Sequence, residues 1–285
     1  MALGLNYAEK YASVVDERFK LGSLTDGVTN QNFDWVGVST VHVFSRDLVT
    51  LGNYNMSGGM SRYGTPSDLQ NDVQDLVLTQ DKAFTYIIDK KTEKNTMGTM
   101  EAAATLAENI DNVVIPALDT YRIAAIAAGA PTAGTHTGSN HTITKAASAT
   151  TTAYEDFLGA QEILDDDKAP QGGRVAIVTP AFYNQIKLDS SFIRNGDLSQ
   201  RMLLNGQVGE IDGVPVIKVP SSYMPTKTNF IITNAVVAPS PVKIAEYKIH
   251  VDPPGLSGTL CEARFYYDCF VLNKKADAIV VHKNA

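Results

Sequence analysis

Over residues 98–129 apolar side chains recur every three or four positions: Ala103, Leu106, Ala107, Ile110, Val113, Val114, Ala117, Leu118, Tyr121, Ala124, Ala125 and Ala128. That period predicts one amphipathic helix of roughly 45 Å, far longer than the average globular helix. Pro116 lacks a backbone donor and should bend it, and Gly129 with Pro131 beyond it should stop it. Upstream the period shortens to two. Residues 33–50 and 73–89 are rich in β-branched and aromatic side chains and read as strands. Between them Gly52, Gly58, Gly59, Gly64 and Pro66 make a turn-rich tip. Two arms of about 15–18 residues give a β-hairpin reaching roughly 50–60 Å. An isolated ribbon of that length is marginal in water, so it needs a partner surface, and a neighbouring subunit fits that need. Leu5, Ala8, Ala12, Val15 and Phe19 predict a short helix over residues 1–20, whose apolar face must also dock on something.

Residues 131–152 carry few bulky side chains and read as a loop or weak strand pair. Thr152 and Glu155 match a capping box, and Tyr154, Phe157, Leu158, Gln161 and Leu164 give the helix it opens. Residues 174–179 read as a buried strand, Pro180 opens a second helix, Asp212-Gly213 turns a hairpin and 230–234 is another strand. Residues 152–237 are thus a compact α/β lobe, and the last 48 residues are strands. In 260–272 Cys261, Ala263, Phe265, Tyr267, Cys269 and Val271 alternate with Glu262, Arg264 and Asp268, one face to a core and one polar. Residues 278–282 close the chain as an apolar strand, and these final strands are expected to cover the stripe of the long helix.

The chain has 285 residues and a net charge of −7, which argues against general nucleic-acid binding through clustered lysine and arginine. It has no run of 18 apolar residues to span a membrane. Cys261 and Cys269 lie about 26 Å apart along one straight strand, too far to bridge, and read as buried small hydrophobes. Motifs for phosphate loops, nucleophile elbows, zinc proteases and paired cysteines are lacking, so no cofactor, metal or catalytic residue is expected. Asp165–Asp167 point about 100° apart on a helix and read as a solvated helix end. His136 and His141 read as surface histidines; His42, His250 and His282 read as structural. Glu262 and Arg264, two apart on a polar strand face, are candidates for a charge pair within the sheet or across a subunit boundary. At the hairpin tip Tyr54, Met56, Met60, Arg62 and Tyr63 are interface-enriched types among glycines and form the candidate inter-subunit contact.

The order of these elements resembles the major capsid proteins of tailed bacteriophages with the HK97-type fold. Several strings carry the likeness to a subfamily from phages of Gram-positive hosts. They are Arg62-Tyr63-Gly64-Thr65-Pro66, Gln80-Asp81-Lys82 before Phe84-Thr85, Pro116 with Asp119-Thr120-Tyr121-Arg122, and Glu262-Ala263-Arg264 through Asp268-Cys269-Phe270-Val271. The resemblance implies an α+β fold with an N-terminal arm (1–37), an extended loop (38–85), a spine helix (98–129) and two domains. The axial domain would be 153–237, and the peripheral domain 86–152 with 238–285. It implies a non-enzymatic shell protein of the virion, assembled in the host cytoplasm into the hexamers and pentamers of an icosahedral head enclosing double-stranded DNA. The implied partners are other copies of itself, a scaffolding protein, a portal protein and DNA held without sequence-specific contacts. Only about 30 residues precede the loop, and Met1 favours a separate scaffold. Some members weld subunits through a loop lysine; residues 41–81 hold none and Lys82 sits at the loop base, so this cross-link is expected to be absent. The nearest alternative is an encapsulin-like nanocompartment shell with the same fold. A remote one is a hydrolytic or binding enzyme centred on the 152–237 lobe.

Overall fold

The computed structural model describes residues 23–30, 40–46, 48–57, 59, 62–66, 68–95, 101–132, 140–145, 152–189 and 209–285. The helix expected over residues 1–20 and His136 lie outside them. The chain divides into two compact units, residues 35–78, and residues 1–34 with 79–285.

The smaller unit is a ribbon. Strand β1 (Thr40–Arg46) pairs antiparallel with β2 (Asn71–Val77), from Thr40 opposite Val77 to Arg46 opposite Asn71. Among the described residues the paired arms span seven residues each, and residues 33–39 of the first expected arm lie outside them. The returning strand breaks after Val77. Its second half, β3 (Gln80–Asp89), pairs over its full length with β10 (Gly258–Tyr267) in the larger unit. The reason is burial: β10 offers an alternating apolar face to pair on, and a bare ribbon offers none.

With β9 (Val242–Val251) those two strands make a three-stranded sheet in the order β3-β10-β9. The two-fold alternation of β10 holds: Cys261, Ala263 and Tyr267 are buried, whereas Glu262 and Arg264 are exposed. The strand ends at Tyr267. Cys269 and Val271 lie beyond it in a stretch where Asp268, Phe270 and Leu272 donate backbone N–H groups to Pro241, Pro239 and Val237. Both cysteines are free and buried, and burial pushes the Cys269 thiol up to about 12.

The second sheet has six strands in the order β4-β11-β8-β5-β7-β6. They are β4 (Thr142–Lys145), β5 (Arg174–Val178), β6 (Glu210–Ile211), β7 (Val214–Lys218), β8 (Thr228–Asn234) and β11 (Val280–Asn284). Asp212 and Gly213 both take positive φ, 50° and 75°, the geometry a two-residue hairpin between β6 and β7 demands. The terminal strand joins this sheet between β4 and β8. Val280 and Val281 are both fully buried, as a strand covered on both faces requires. Val280, Phe230, Ile232, Ala176 and Val178 face α4 (Ala153–Asp166) and α5 (Pro180–Leu188) through Phe157, Leu164, Phe182 and Ile186. Val281, Ile231 and Ile177 face the long helix through Ile123, Ile126 and Ala127. Thus the stripe of the long helix is covered chiefly by the six-stranded sheet.

The long helix consists of α2 (Ala102–Asn109), a π-helical turn at Ile110–Val114 and α3 (Ile115–Ala128), after the short α1 (Lys90–Asn95). In the turn the Ile115 N–H donates five residues back, to Ile110 O. The wide turn relieves the clash that the ring of Pro116 would make one α-turn back. It also inserts a residue into the helical phase, rotating everything downstream by about 100°. The buried positions of α3 are accordingly Asp119, Arg122, Ile123, Ile126 and Ala127, one step on from the expected Leu118, Tyr121 and Ala125. Gly129 ends the helix at φ −80°, with no left-handed turn. Glycine is needed there for space: a Cβ would stand 2.4 Å from a Val271 methyl. Gly129→Ala should cost about 1–3 kcal/mol by overpacking, read as a lower urea midpoint with unchanged slope.

Two cap readings change. The Thr152 side chain does not cap α4; the carboxylate of Asp189 accepts from Tyr154 N at 3.0 Å instead. At the other end the buried Arg174 guanidinium donates to Pro170 O, Ala169 O and Asp165 Oδ1, closing the helix on a positive charge. Thr179 caps α5, accepting from Phe182 N.

Candidate assembly surfaces and the polar clamp

At the ribbon tip Tyr54 and Tyr63 meet edge to face, ring centroids 5.0 Å apart. Asn55 N donates to Arg62 O at 2.9 Å, closing the tip across its base, and Ser57 N donates to the Asn55 side chain. Tyr54, Met56, Arg62 and Tyr63 are all exposed, Tyr63 at 92%. Met60 lies outside the described residues. Leu48, Val49, Leu51 and Leu69 are exposed beside them. On the ribbon Phe44 stands opposite Val73, both exposed, and His42 Nδ1 lies 2.6 Å from Asp75 Oδ1 on the same face. The described part of the ribbon thus presents a dense set of exposed apolar side chains.

In the three-stranded sheet Tyr247 and Ile249 of β9 stand opposite Ala263 and Cys261 and are also exposed. On the other face Glu262 and Arg264 do not pair with one another. Arg264 grips Asp81 of β3 through two bonds of 3.0 and 2.6 Å, and this holds the Asp81 carboxyl below its usual range. Glu262 lies 3.4 Å from His250 of β9. Each charge thus has a cross-strand partner, and being exposed these pairs contribute little to stability.

Sequence reasoning missed a buried polar clamp on α3. Asp119, 1% exposed, accepts from Ser23 Oγ (2.8 Å), Leu24 N (2.9 Å) and Thr25 Oγ1 (2.6 Å). Arg122, 2% exposed, donates to Thr25 Oγ1, Asp26 Oδ1 and Ser240 Oγ. Asp268 accepts four bonds, from Thr79 N and Oγ1, Tyr121 OH and Cys269 N. Burial and the Asp268 carboxylate push the Tyr121 phenol up to about 12. Three otherwise separate pieces of chain, residues 23–30, the root of β3 at Thr79 and the 237–240 segment, are held to one helix. The available signal was an Asp-x-x-Arg spacing inside an Ala- and Ile-rich helix, where both charges share a face.

Two histidine readings need separating. His141 is fully buried, contrary to the surface reading, with Nδ1 2.8 Å from Ile279 O and Nε2 2.5 Å from Asp167 Oδ2. Asp165 is taken by Arg174 and Asp167 by His141, so the acidic end of α4 is a pair of tethers. His282 is buried, stacked on Phe230 at 5.0 Å, with Nδ1 3.2 Å from the Asn229 amide and Nε2 unsatisfied. Desolvation lowers its pKa, against the pull of Asp156. The neutral ring is therefore the folded form. Its contribution is full above the ordinary value of about 6.5 and is lost as pH falls through the depressed folded value. The thermal midpoint should fall progressively below pH about 6.5, and His282→Phe should flatten that part of the profile. Among the described residues no group of three His, Cys, Asp or Glu can hold a metal ion, and no helix is long and apolar enough to cross a membrane.

Comparison with known proteins bears directly on these features. No curated protein matches the sequence. Among solved structures, a chain from the capsid of cyanophage P-SCSP1u is 15% identical with a TM-score of 0.78, covering 98% of this chain and 93% of the other. A chain from Mycobacterium phage Che8 is 17% identical with a TM-score of 0.71, covering 97% of each. A chain from the capsid of a native GTA particle is 12% identical with a TM-score of 0.68, covering 98% and 95%. The fold is the α+β HK97 type. The profile of the phage capsid protein family matches residues 79–280, a stretch that holds the three-stranded sheet, the six-stranded sheet except most of β11, the long helix, and Asp119 and Asp268 of the clamp, and the chain belongs to that family.

Proposed function

We propose that the chain is the major capsid protein of a tailed bacteriophage, a non-enzymatic subunit that assembles into the hexamers and pentamers of an icosahedral head around double-stranded DNA. The observation that carries this is the ribbon of residues 40–77, where Phe44, Leu48, Val49, Leu51, Tyr54, Met56, Tyr63, Leu69 and Val73 stand exposed in the single subunit of a capsid-family chain. In this reading the ribbon is the extended loop and lies over a neighbour, with Tyr54, Met56, Met60, Arg62 and Tyr63 in the contact. The long helix is the spine. The lobe of 153–237 is the axial domain that meets its copies around the five- and six-fold axes, and β4 and β11 complete its sheet. The three-stranded sheet with the spine is the peripheral domain. Many modest contacts, repeated in closed symmetry, hold the shell. A net charge of −7 suits a wall that must not grip its packaged DNA. Assembly takes place in the host cytoplasm with a separate scaffolding protein and a portal.

Electron microscopy of the purified chain, alone and co-expressed with a candidate scaffold, tests this. Closed shells of uniform size are expected. Shells that form without any scaffold and carry enzyme cargo would favour the nanocompartment, and monomers or dimers in both preparations would overturn the reading.

A further inference from the structure

We propose that a cleft at the C-terminal end of α4 docks a partner protein through an extended peptide in which apolar side chains stand between carboxylates. The cleft encloses about 450 Å³, within the range of roughly 300–1,000 Å³ seen for built ligand sites. Its floor is apolar, from Ala169, Val237 and Ala278, and Val236 stands half exposed in the lining. Lys168, Lys274 and Lys275 bring three ammonium groups to it. Lys168 is set there by a left-handed backbone (φ 59°) just past the helix end. The ammonium groups of Lys168 and Lys275 have no carboxylate partner among the described residues. The carboxylates that also line the cleft are Asp167, drawn to His141, and Asp277.

Two features favour an acidic, apolar peptide over other occupants. In a chain of net charge −7, three lysines gathered round an apolar floor are complementary to an acidic partner. The walls are also built in advance. The buried Asn234 donates to Gly172 O at 2.8 Å and accepts from Val236 N at 3.2 Å. Asn30 donates to Val236 O at 2.9 Å. A peptide entering the cleft therefore orders itself without having to order the site. The inference stands on this geometry and does not depend on the shell reading.

The probe is a fluorescein-labelled peptide Glu-Asp-Leu-Glu-Leu-Asp, titrated by anisotropy into unassembled full-length subunits, beside a control with lysines replacing its acids. The acidic peptide should bind, the control should not, and salt at about 0.5 M should weaken binding by screening. Reversing both free cations (Lys168→Glu with Lys275→Glu) should weaken it at least about tenfold. Carbodiimide coupling to the wild-type chain, mapped by mass spectrometry, should mark Lys168 and Lys275 whether or not the variant folds. Equal affinity of the variant, adducts confined to other lysines, or no binding at millimolar peptide would each overturn the proposal. So would loss of self-association in the variant with peptide binding intact, which would make a second copy the occupant.

Discussion

Subunits lacking residues 52–64 should fold normally and fail to close shells. The deletion removes Tyr54, Met56, Met60, Arg62 and Tyr63 and leaves the paired strands Thr40–Arg46 and Asn71–Val77 in place. The deleted residues lie outside the unit of 1–34 and 79–285, which holds the described core clusters. Those of the removed side chains that the structure describes are exposed in the subunit, so the unfolding midpoint should shift little. Their energetic value is realised only when another copy covers them, because bare apolar surface contributes nothing until it leaves water. The measurement is paired: thermal melting of the free subunit and negative-stain microscopy under assembly conditions. A normal melt with no shells is the expected result. Normal shells from the deletion would sink the loop assignment while leaving the capsid family untouched.

The legible part of the fold was whatever local periodicity dictates. The alternation from Cys261 to Tyr267, the turn at Asp212-Gly213 and the helix opened by Pro180 are each fixed within a few residues by pleat, φ sign or ring geometry. What escaped reading depended on partners far away in sequence. Val280 and Val281 look the same to a periodicity argument whichever sheet they join; only Ile232 and Ile231, some fifty residues off, decide it. The phase of α3 was misread for a local reason, since a π-turn upstream of Pro116 shifts the stripe by one residue and the sequence period hides the shift. His141 lay in a Thr-rich stretch that looked exposed, and its burial comes from Asp167 and Ile279, neither adjacent to it. The tip residues were legible as an interface by type, and the structure agrees only so far as to leave those it describes exposed. The clamp of Asp119, Arg122 and Asp268 was visible only as strings shared with a family; its physical role needed Thr25, Thr79 and Ser240 brought together.

That clamp supports the second large expectation: Asp119→Ala should destabilise the free subunit by roughly 3 kcal/mol or more. Three donors lose their acceptor at once, those of Ser23, Leu24 and Thr25, and a buried donor left unsatisfied costs about 1–3 kcal/mol. The change also unsettles the neighbouring cation, which keeps its ion pair to Asp26 but loses the fixed orientation of the Thr25 hydroxyl. Thr25 Oγ1 donates to Asp119 and accepts from Arg122, so the carboxylate and the guanidinium are coupled through one hydroxyl. Breaking such a network from one side costs more than removing both of its charges together. Asp119→Leu combined with Arg122→Met should therefore cost clearly less than the sum of the two single changes, a coupling that a double-mutant cycle in urea reads directly. Additive costs would show that the two side chains act independently. Segment 23–30 should loosen before the core does, because Asp119 and Arg122 hold it, whereas Ile123 and Ile126 hold the sheet. Limited proteolysis of Asp119→Ala should then cut near residue 23–30 under conditions where the sheet at Val281 and Ile231 still resists. In the proposed shell, the same variant should assemble poorly even when kept below its melting temperature, since the clamp is what holds residues 23–26 to the long helix.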